Sequence, residues 1–162
     1  MIGKKMQDAL NEQINKEMYS SYLYLSMATV AEDWNLQGVA HWLEKQAGEE
    51  SEHAQRLYKH LVDRGGRVLL KAIDGPPTEW KAPLAMFEEV YAHEQKVTGM
   101  IHNLVALARE EKDYASEVML HWFVDEQVEE EANSSEIVER LKRIKDSPNG
   151  LMMLDHSLGA RE

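Results

Sequence analysis

The sequence contains no cysteine, and this absence excludes several kinds of chemistry at once. Disulfide bonds, zinc sites with thiolate ligands, iron–sulfur clusters and thiol nucleophiles all require cysteine. Positive charge is also scarce, because 18 Lys and Arg residues stand against 29 Asp and Glu residues and leave a formal net charge of −11. An acidic chain is a poor partner for nucleic acid and a better one for cations, although the same charge also serves solubility alone.

Long apolar runs are missing as well. No apolar run follows a basic start at the N-terminus, so we expect neither a secretory signal nor a transmembrane span. A cytoplasmic location is the default expectation. The 162 residues, of which 43% are hydrophobic, suit one domain with a sizeable core, and we predict a single domain over residues 1–162.

Apolar residues recur at three- and four-residue steps over most of the chain, which predicts an all-α fold. We predict four long helices over residues 4–34, 36–64, 83–111 and 113–146, and a short fifth helix over 148–158. Asn35, Asp113 and Ser147 are the expected N-caps of the second, fourth and fifth helices. Pro83 is the expected first residue of the third helix.

The segment between the second and third helices, residues 65–82, lacks helical periodicity and begins with two glycines that end the second helix. We predict that it is a long ordered crossover rather than a hairpin turn. Its apolar residues are expected to pack on the bundle surface, and they are Val68, Leu69, Leu70 and Ile73. A short link, a long link and a second short link give the connectivity of a four-helix bundle with one long crossover.

Polar side chains interrupt the apolar stripe of each long helix. In the second helix, Glu50 and His53 are three positions apart, which places a carboxylate and an imidazole on one helix face. The neighbouring Ala47 and Ala54 belong to the apolar stripe, so this face should point to the core. Burying an ionised carboxylate is very costly unless it is paired or bound to a metal.

The first and third helices carry a matching acid, and the fourth helix carries Gln127-x-x-Glu130 where the second has Glu50-x-x-His53. Glu17 precedes Glu50 by the same number of positions as Glu94 precedes Gln127. The chain therefore repeats one spacing in its two halves. The predicted stripe that Glu17 interrupts consists of Leu10, Ile14, Ser21, Leu25 and Ala28.

These polar groups should also lie at one height in the bundle. Glu17 and His53 are equally far from the first link, and Glu94 and Glu130 are nearly equally far from the third. At ~1.5 Å per residue, both pairs lie ~27 Å from their links. Several carboxylates and one imidazole around a point repel each other without a cation, and such ligands suit iron, manganese or magnesium. A chance repeat in a Glu-rich chain is the alternative, which the stripe and the equal heights disfavour.

These features together make the chain resemble the ferritins, and in particular the prokaryotic non-haem ferritins. The resemblance covers essentially the whole chain and implies a ferritin-like four-helix bundle, with one crossover between the second and third helices and a short C-terminal helix. It implies iron storage and detoxification, with Fe²⁺ oxidised by O₂ or peroxide at a di-iron centre inside each subunit. It also implies a hollow homo-oligomeric shell of 24 subunits that holds the ferric mineral.

The resemblance implies a role for each of the repeated residues. Glu17, Glu50 and His53 match the first iron site of the ferroxidase centre. Glu50, Glu94 and Glu130 match the second iron site, with Glu50 as the bridge between the two ions.

Further residues match positions around that centre. Gln127 matches the amide that flanks it, Tyr24 matches the tyrosine beside it, and Trp122 is a candidate for a second redox-active aromatic. A third iron site, typical of prokaryotic non-haem ferritins, matches Glu49, Glu126, Glu129 and Glu130. No basic residue in the local sequence pairs with these acids.

Two departures from related families carry information. Many di-iron bundles repeat Glu-x-x-His in both halves, whereas Gln127 begins the second motif here, so we expect an asymmetric centre with a more loosely held second iron. Bacterioferritins have a haem-ligating methionine where this chain has Ser51, so we predict no haem.

Two alternatives to an iron-storage ferritin are a di-iron oxidase or peroxidase that forms no cage, and a helical binding module with a structural metal.

Overall fold

The structure, a computed structural model, describes residues 1–161 and consists of five α-helices. They are α1 (Lys4–Asp33), α2 (Gln37–Asp63), α3 (Pro83–Glu110), α4 (Tyr114–Ile144) and α5 (Pro148–Leu158). Within residues 1–161 there is no β-strand, and no helix is long and apolar enough to cross a membrane. α1 packs along α2, and α3 packs along α4. The predicted all-α bundle with one long crossover and a short C-terminal helix is confirmed.

Three of the predicted helix-end signals are present. Asp113 accepts a hydrogen bond from the backbone N–H of Ser116 at the start of α4, with an N–O distance of 3.2 Å. Ser147 accepts one from the backbone N–H of Gly150 at the start of α5, also at 3.2 Å. Pro83 begins α3, where its missing N–H leaves no bond unmade. These side chains fix where each helix begins.

The prediction that Asn35 caps α2 is wrong. Leu36 precedes α2, and Asn35 adopts the left-handed backbone conformation with a φ of 58°. Its backbone N–H donates to the carbonyl of Glu32 at 2.9 Å, which closes the last turn of α1. Asparagine tolerates the left-handed region better than most residues, so Asn35 ends α1 instead of starting α2.

The crossover between α2 and α3 is fixed to α1 by hydrogen bonds. The Asn11 side chain donates to the carbonyl of Arg67 at 3.0 Å and accepts from the backbone N–H of Leu69 at 2.7 Å. Asn15 donates to the carbonyl of Ala72 at 3.0 Å. The crossover therefore has an ordered path along α1 although it has no regular secondary structure of its own.

The predicted packing of the crossover's apolar side chains is only partly right. Val68 packs against the core, whereas Leu69, Leu70 and Ile73 are exposed, Leu70 to 78%. In the single chain, the crossover is held against α1 more by these hydrogen bonds than by burial of its apolar side chains.

A layer of polar side chains divides the apolar core into two clusters. One cluster includes Leu43 and Phe87 and lies toward α5. The other includes Leu10 and Phe123 and lies toward the opposite end of the bundle. On each long helix, the buried glutamate falls between the residues of the two clusters. The bundle is thus stabilised by apolar packing above and below a polar middle.

α1 presents a slightly different face to the core than the sequence predicts. Leu25 is 46% exposed and Ser21 is half-buried, so both were wrongly placed in the core stripe. Ser20 and Tyr24 are fully buried in their place. Glu17 lies on this buried face too, because it is three positions before Ser20 and seven before Tyr24.

α5 folds back onto the start of α2. The backbone N–H of Val39 donates to Asp155 Oδ1 at 2.8 Å, which satisfies one of the free donors of the first turn. A Cβ placed on Gly38 would lie 1.7 Å from the carbonyl oxygen of Asp155, so only glycine allows this close approach.

Candidate metal centre

Six polar side chains singled out in the sequence meet in the middle of the bundle. Their exposed fractions lie between 1% and 4%. They are Glu17 from α1, Glu50 and His53 from α2, Glu94 from α3, and Gln127 and Glu130 from α4. Within residues 1–161, no Lys or Arg is buried. Four carboxyl groups are therefore withdrawn from water without a buried basic residue to balance them.

Glu17, Glu50 and His53 form a compact set of donor atoms. One donor atom from each lies within 4.8 Å of the other two, and His53 Nδ1 is 3.2 Å from Glu50 Oε2. Gln13 donates to Glu17 Oε1 at 2.8 Å. The other oxygen, Glu17 Oε2, is buried and has no hydrogen-bond partner in residues 1–161. A buried carboxylate oxygen without a partner is costly, and a cation would satisfy it.

Glu94 and Glu130 close the ring from α3 and α4. Tyr24 donates to Glu94 Oε1, and Gln127 Nε2 donates to Glu94 Oε2 at 3.2 Å. Gln46 Nε2 donates to Glu130 Oε2 at 2.6 Å. These neutral donors orient the two carboxyl groups but contribute no positive charge.

Two aromatic side chains flank the set. Burial, followed by the charge of Glu94, raises the pKa of Tyr24 well above its usual range, so the phenol keeps the proton that it donates. The ring of Trp122 packs edge-on against His53, with 5.4 Å between ring centroids. The Arg56 guanidinium lies over the Trp122 ring, 4.0 Å from its centroid.

Burial keeps several of these carboxyl groups protonated when no cation is bound. Burial, followed by the charge of Glu94, raises the pKa of Glu50 well above its usual range. The same two causes raise the pKa of Glu17 to about 7 and that of Glu130 to about 8. Burial lowers the pKa of His53 to about 4, so its ring is neutral at pH 7, the form in which an imidazole binds a metal.

The outer acids are Glu49, Glu126 and Glu129, and of these Glu126 comes close to His53. Glu126 Oε1 is 3.9 Å from His53 Nε2, and Glu130 joins these two in a second set with donor atoms within 4.8 Å of one another. Burial, followed by the charges of Glu129 and Glu49, raises the pKa of Glu126. Glu49 is half-buried and Glu129 is exposed, and neither belongs to that compact set.

Sequence reasoning missed three polar partners of these acids. Gln13 lies four positions before its partner Glu17 on a buried helix face, and this spacing could have revealed it. Gln46 also lies on a buried face, but its partner Glu130 is 84 positions away on another helix. Arg161 gave no such signal, because it lies 112 positions from Glu49, whose Oε2 is 2.5 Å from Arg161 Nη2. The expected lack of a basic partner thus holds only for the local sequence.

The arrangement suits a pair of cations that prefer oxygen ligands. Four carboxyl groups and a single neutral imidazole form a set that iron or manganese accepts and that a structural zinc site rarely uses. Glu17 Oε2 has no partner, and burial, followed by the charge of Glu94, raises the pKa values of Glu17 and Glu130, so a bound cation would stabilise the set. A carboxylate between two metal ions is a common device in two-metal sites.

Comparison with known proteins identifies relatives of the whole chain. The model of the ferritin family, described as a ferritin-like domain, matches residues 7–144. The bacterial non-heme ferritin of Bacteroides fragilis (strain 638R) is 45% identical over 161 residues, which cover 99% of this chain and 100% of that protein. The bacterial non-heme ferritin of Staphylococcus saprophyticus is 42% identical over 99% of this chain and 96% of its own length.

Solved structures agree with these relatives. The crystal structure of an open pore ferritin from the hyperthermophilic archaeon Archaeoglobus fulgidus is 48% identical, with a TM-score of 0.99 over 100% of both chains. The resemblance noted in the sequence is confirmed, while the roles of individual residues stay predictions. This chain belongs to the ferritin family of iron-storage proteins.

Proposed function

We propose that this protein is a ferroxidase, which binds Fe²⁺ in pairs at the buried set of acids, oxidises it and passes Fe³⁺ on for storage. The observation that carries this proposal is four buried carboxyl groups around a neutral imidazole, without a buried Lys or Arg in the described chain. Only protons or bound cations can balance such a set. Membership of the ferritin family makes Fe²⁺ the cation that we propose.

Each iron ion has its own proposed ligands. Glu17, Glu50 and His53 hold the first ion, in keeping with their donor atoms lying within 4.8 Å of one another. Glu50, Glu94 and Glu130 hold the second ion. Glu50 serves both, and its pKa is raised first by burial and then by the charges of Glu94, Glu17 and Glu130, which surround it.

The second ion is proposed to be the more weakly bound. Gln127 stands where a symmetric centre would place a ligand, and its Nε2 donates to Glu94 and to Thr98, at 3.2 Å and 3.3 Å. An amide N–H group is a hydrogen-bond donor and not a metal ligand. A site held by carboxylates alone suits an ion that must move on to the mineral.

The proposed reaction needs two electrons for each oxidant molecule, and each Fe²⁺ supplies one. With two protons, two Fe²⁺ ions reduce O₂ to H₂O₂, or reduce H₂O₂ to two molecules of water. The protein supplies the geometry, and the iron supplies the redox chemistry. Cation binding displaces the protons of Glu17, Glu50 and Glu130, whose raised pKa values keep them protonated beforehand.

We also propose that the chain assembles into the hollow shell of 24 copies that its resemblance implies, in the cytoplasm. Large apolar side chains are exposed on the single chain, among them Tyr22, Leu70, Val118, Val128 and Met153. Contact between subunits is the usual reason for so much exposed apolar surface. A third site at the outer acids is part of the same proposal, as the place through which iron leaves the centre.

One experiment separates this proposal from its nearest rival. Apoprotein receives two Fe²⁺ per chain without oxygen, and O₂ is then added while absorbance is followed and particle mass is measured on the same sample. We expect one fast oxidation phase in a particle of many subunits. A fast phase in a monomer or dimer would indicate a di-iron oxidase without a cage, and the absence of a fast phase would contradict the ferroxidase.

A further inference from the structure

Arg161 lies near the C-terminus, yet its side chain reaches the edge of the metal centre. Its Nη2 is 2.5 Å from Glu49 Oε2, and its Nη1 donates to Gln46 Oε1 at 2.9 Å. The guanidinium also lies over Trp42, 4.8 Å from the ring centroid, and donates to the Trp42 carbonyl at 3.4 Å. Three residues of α2 thus hold one side chain of the tail.

The backbone around Arg161 is held in place as well. The carbonyl of Arg161 accepts a hydrogen bond from His41 Nε2 at 2.8 Å. The backbone N–H of Arg161 donates to the carbonyl of Leu158 at 3.3 Å, which continues the tail from the end of α5. α5 is itself fixed to the start of α2 through Asp155 and Val39. These contacts therefore hold the guanidinium in one position beside α2.

This side chain contacts an outer acid directly and is linked to an acid of the buried centre through one amide. Through Glu49 it neutralises one acid of the proposed third iron site. Through Gln46 it fixes the amide whose Nε2 donates to Glu130 Oε2 at 2.6 Å, and Glu130 is a proposed ligand of the second iron. A planar guanidinium suits this task because it can hold a carboxylate and an amide oxygen at the same time.

We propose that Arg161 is the built-in counter-ion of the third iron site and that a cation must displace it before Glu49 can serve as a ligand. This inference rests on the proposed function, since it takes the outer acids as a cation site. The guanidinium occupies Glu49 Oε2, and its positive charge repels a second cation that approaches the same carboxylate. Displacement also frees Gln46 and with it Glu130, so filling of the third site loosens the hold on the second iron.

The first test measures cation affinity with Zn²⁺, which is not oxidised. Wild type and Arg161→Gln are titrated in a calorimeter at constant pH, and Glu49→Gln identifies which binding step belongs to the third site. We expect Arg161→Gln to bind Zn²⁺ at that step about tenfold more tightly, the size of effect that one charge-assisted contact supports. The step of the first site, at Glu17, Glu50 and His53, should not change, whereas the step of the second site should weaken, because Gln46 is no longer fixed by Arg161.

Two further variants separate this role from a general effect of charge. Arg140→Gln removes the same charge from a residue that contacts Ser157 and Glu136 and none of the acids of the centre, so its third-site affinity should equal that of wild type. Arg161→Lys keeps the charge but loses the planar guanidinium that can hold two acceptors at once. Its third-site affinity for Zn²⁺ should therefore fall between those of wild type and Arg161→Gln. Equal affinities in wild type and Arg161→Gln, or the same gain in Arg140→Gln, would overturn the inference.

The second test follows the tail itself. By linkage, a cation that is hindered by the tail contact must weaken that contact by the same factor. Zn²⁺ at the third site should therefore speed hydrogen exchange of the 159–161 amides in wild type, by about tenfold, and should leave it unchanged in Glu49→Gln. Unchanged or slower exchange in wild type would overturn the inference. If two ions bind per chain and no third step exists, the inference fails while the ferroxidase proposal stands.

Discussion

Two groups of acids lie side by side in this bundle, and they balance their negative charge in different ways. The inner cluster consists of Glu17, Glu50, His53, Glu94 and Glu130, which are all buried. The outer cluster consists of Glu49, Glu126 and Glu129, which are half-buried or exposed. Burial raises carboxyl pKa values in the inner cluster, so bound protons neutralise part of its negative charge until a cation binds. In the outer cluster, the Arg161 guanidinium does this for Glu49.

The difference bears on what each cluster can do. Protons leave a buried site only when a cation replaces them, which favours tight binding of a pair of ions within fixed geometry. A partly exposed guanidinium on a chain tail can move aside and return, which favours brief occupation by an ion in transit. The two clusters thus suit successive steps, oxidation in the inner cluster and passage out through the outer one.

Glu50→Ala should have the largest effect, because it removes a proposed ligand from both iron ions. We expect the fast oxidation of the first two Fe²⁺ per chain to slow by about a hundredfold or more. His53→Ala removes a ligand of the first ion alone and should slow it less. Stopped-flow absorbance measures these rates, with Glu52→Ala as the control, since Glu52 is the exposed neighbour on α2. A wild-type rate in Glu50→Ala would refute the assignment of the inner cluster.

The double variant Glu49→Ala with Glu126→Ala should leave that first fast phase intact. The rate of later turnovers should fall by about tenfold, which is the usual effect on activity when a group that supports a metal site is removed. The amount of Fe²⁺ oxidised per O₂ should also change, because the third ion's electron is lost. An oxygen electrode with repeated Fe²⁺ additions measures both quantities. If neither changes, the outer acids are ordinary surface charge and the comparison of the two clusters fails.

Tyr24→Phe should have a smaller effect, confined to the inner cluster. Burial raises the pKa of Glu94, and the hydrogen bond from Tyr24 limits that rise, so its loss should raise the pKa further and weaken cation binding at neutral pH. We expect about a fivefold loss of affinity at the second site, the usual value of one hydrogen bond. Co²⁺ titration followed by absorbance measures it, and the loss should shrink as pH rises. An equal loss at pH 6 and pH 8 would contradict this cause.

A further expected effect concerns stability rather than iron chemistry, and it is a pH dependence of the stability of the cation-free protein. The pKa values of Glu17 and Glu130 are raised from 4.5 to about 7 and about 8, so the folded state holds protons that the unfolded state has lost. The free energy of unfolding should therefore fall as pH rises from 6.5 to 8, by about 1 kcal/mol per pH unit for each retained proton.

Two features make this prediction specific to the inner cluster. The lowered pKa values of His53 and His93, about 4, and the lowered pKa of His60 oppose this slope near pH 6.5, where their unfolded forms still bind protons, but this opposing contribution fades within about one pH unit. Saturating Zn²⁺ should abolish the slope, because metal-bound carboxylates no longer titrate there. Thermal denaturation at fixed protein concentration measures it. A stability that rises with pH in this window would contradict the proton-balanced inner cluster.

The inner cluster was largely predictable because its residues repeat one spacing on helices with clear apolar stripes. Glu50 and His53 lie between buried alanines. Glu17 was correctly predicted to be buried although two residues of the apolar stripe predicted around it were not. That error arose at Ser21 and Leu25 because a long helix has apolar residues on more than one face, and periodicity alone does not say which face is buried. The helix ends at Asp113 and Ser147 were predictable because capping is local.

The outer cluster was less predictable because its partners come from far along the chain. The acids at Glu49 and Glu126 stand out in the sequence, but the contact with Arg161 depends on how α5 folds back onto α2. Asn35 was misplaced for a different reason, because the same residue type favours helix starts and left-handed helix ends.

Anomalous diffraction from crystals soaked with Fe²⁺ without oxygen is the decisive measurement for the two clusters, since it locates iron without reference to rates. We expect two strong iron peaks in the inner cluster, both within ligand distance of Glu50, with a weaker third peak between Glu49 and Glu126. The third peak should gain occupancy in Arg161→Gln. Iron bound only elsewhere on the chain, with no peak at Glu50, would contradict the account.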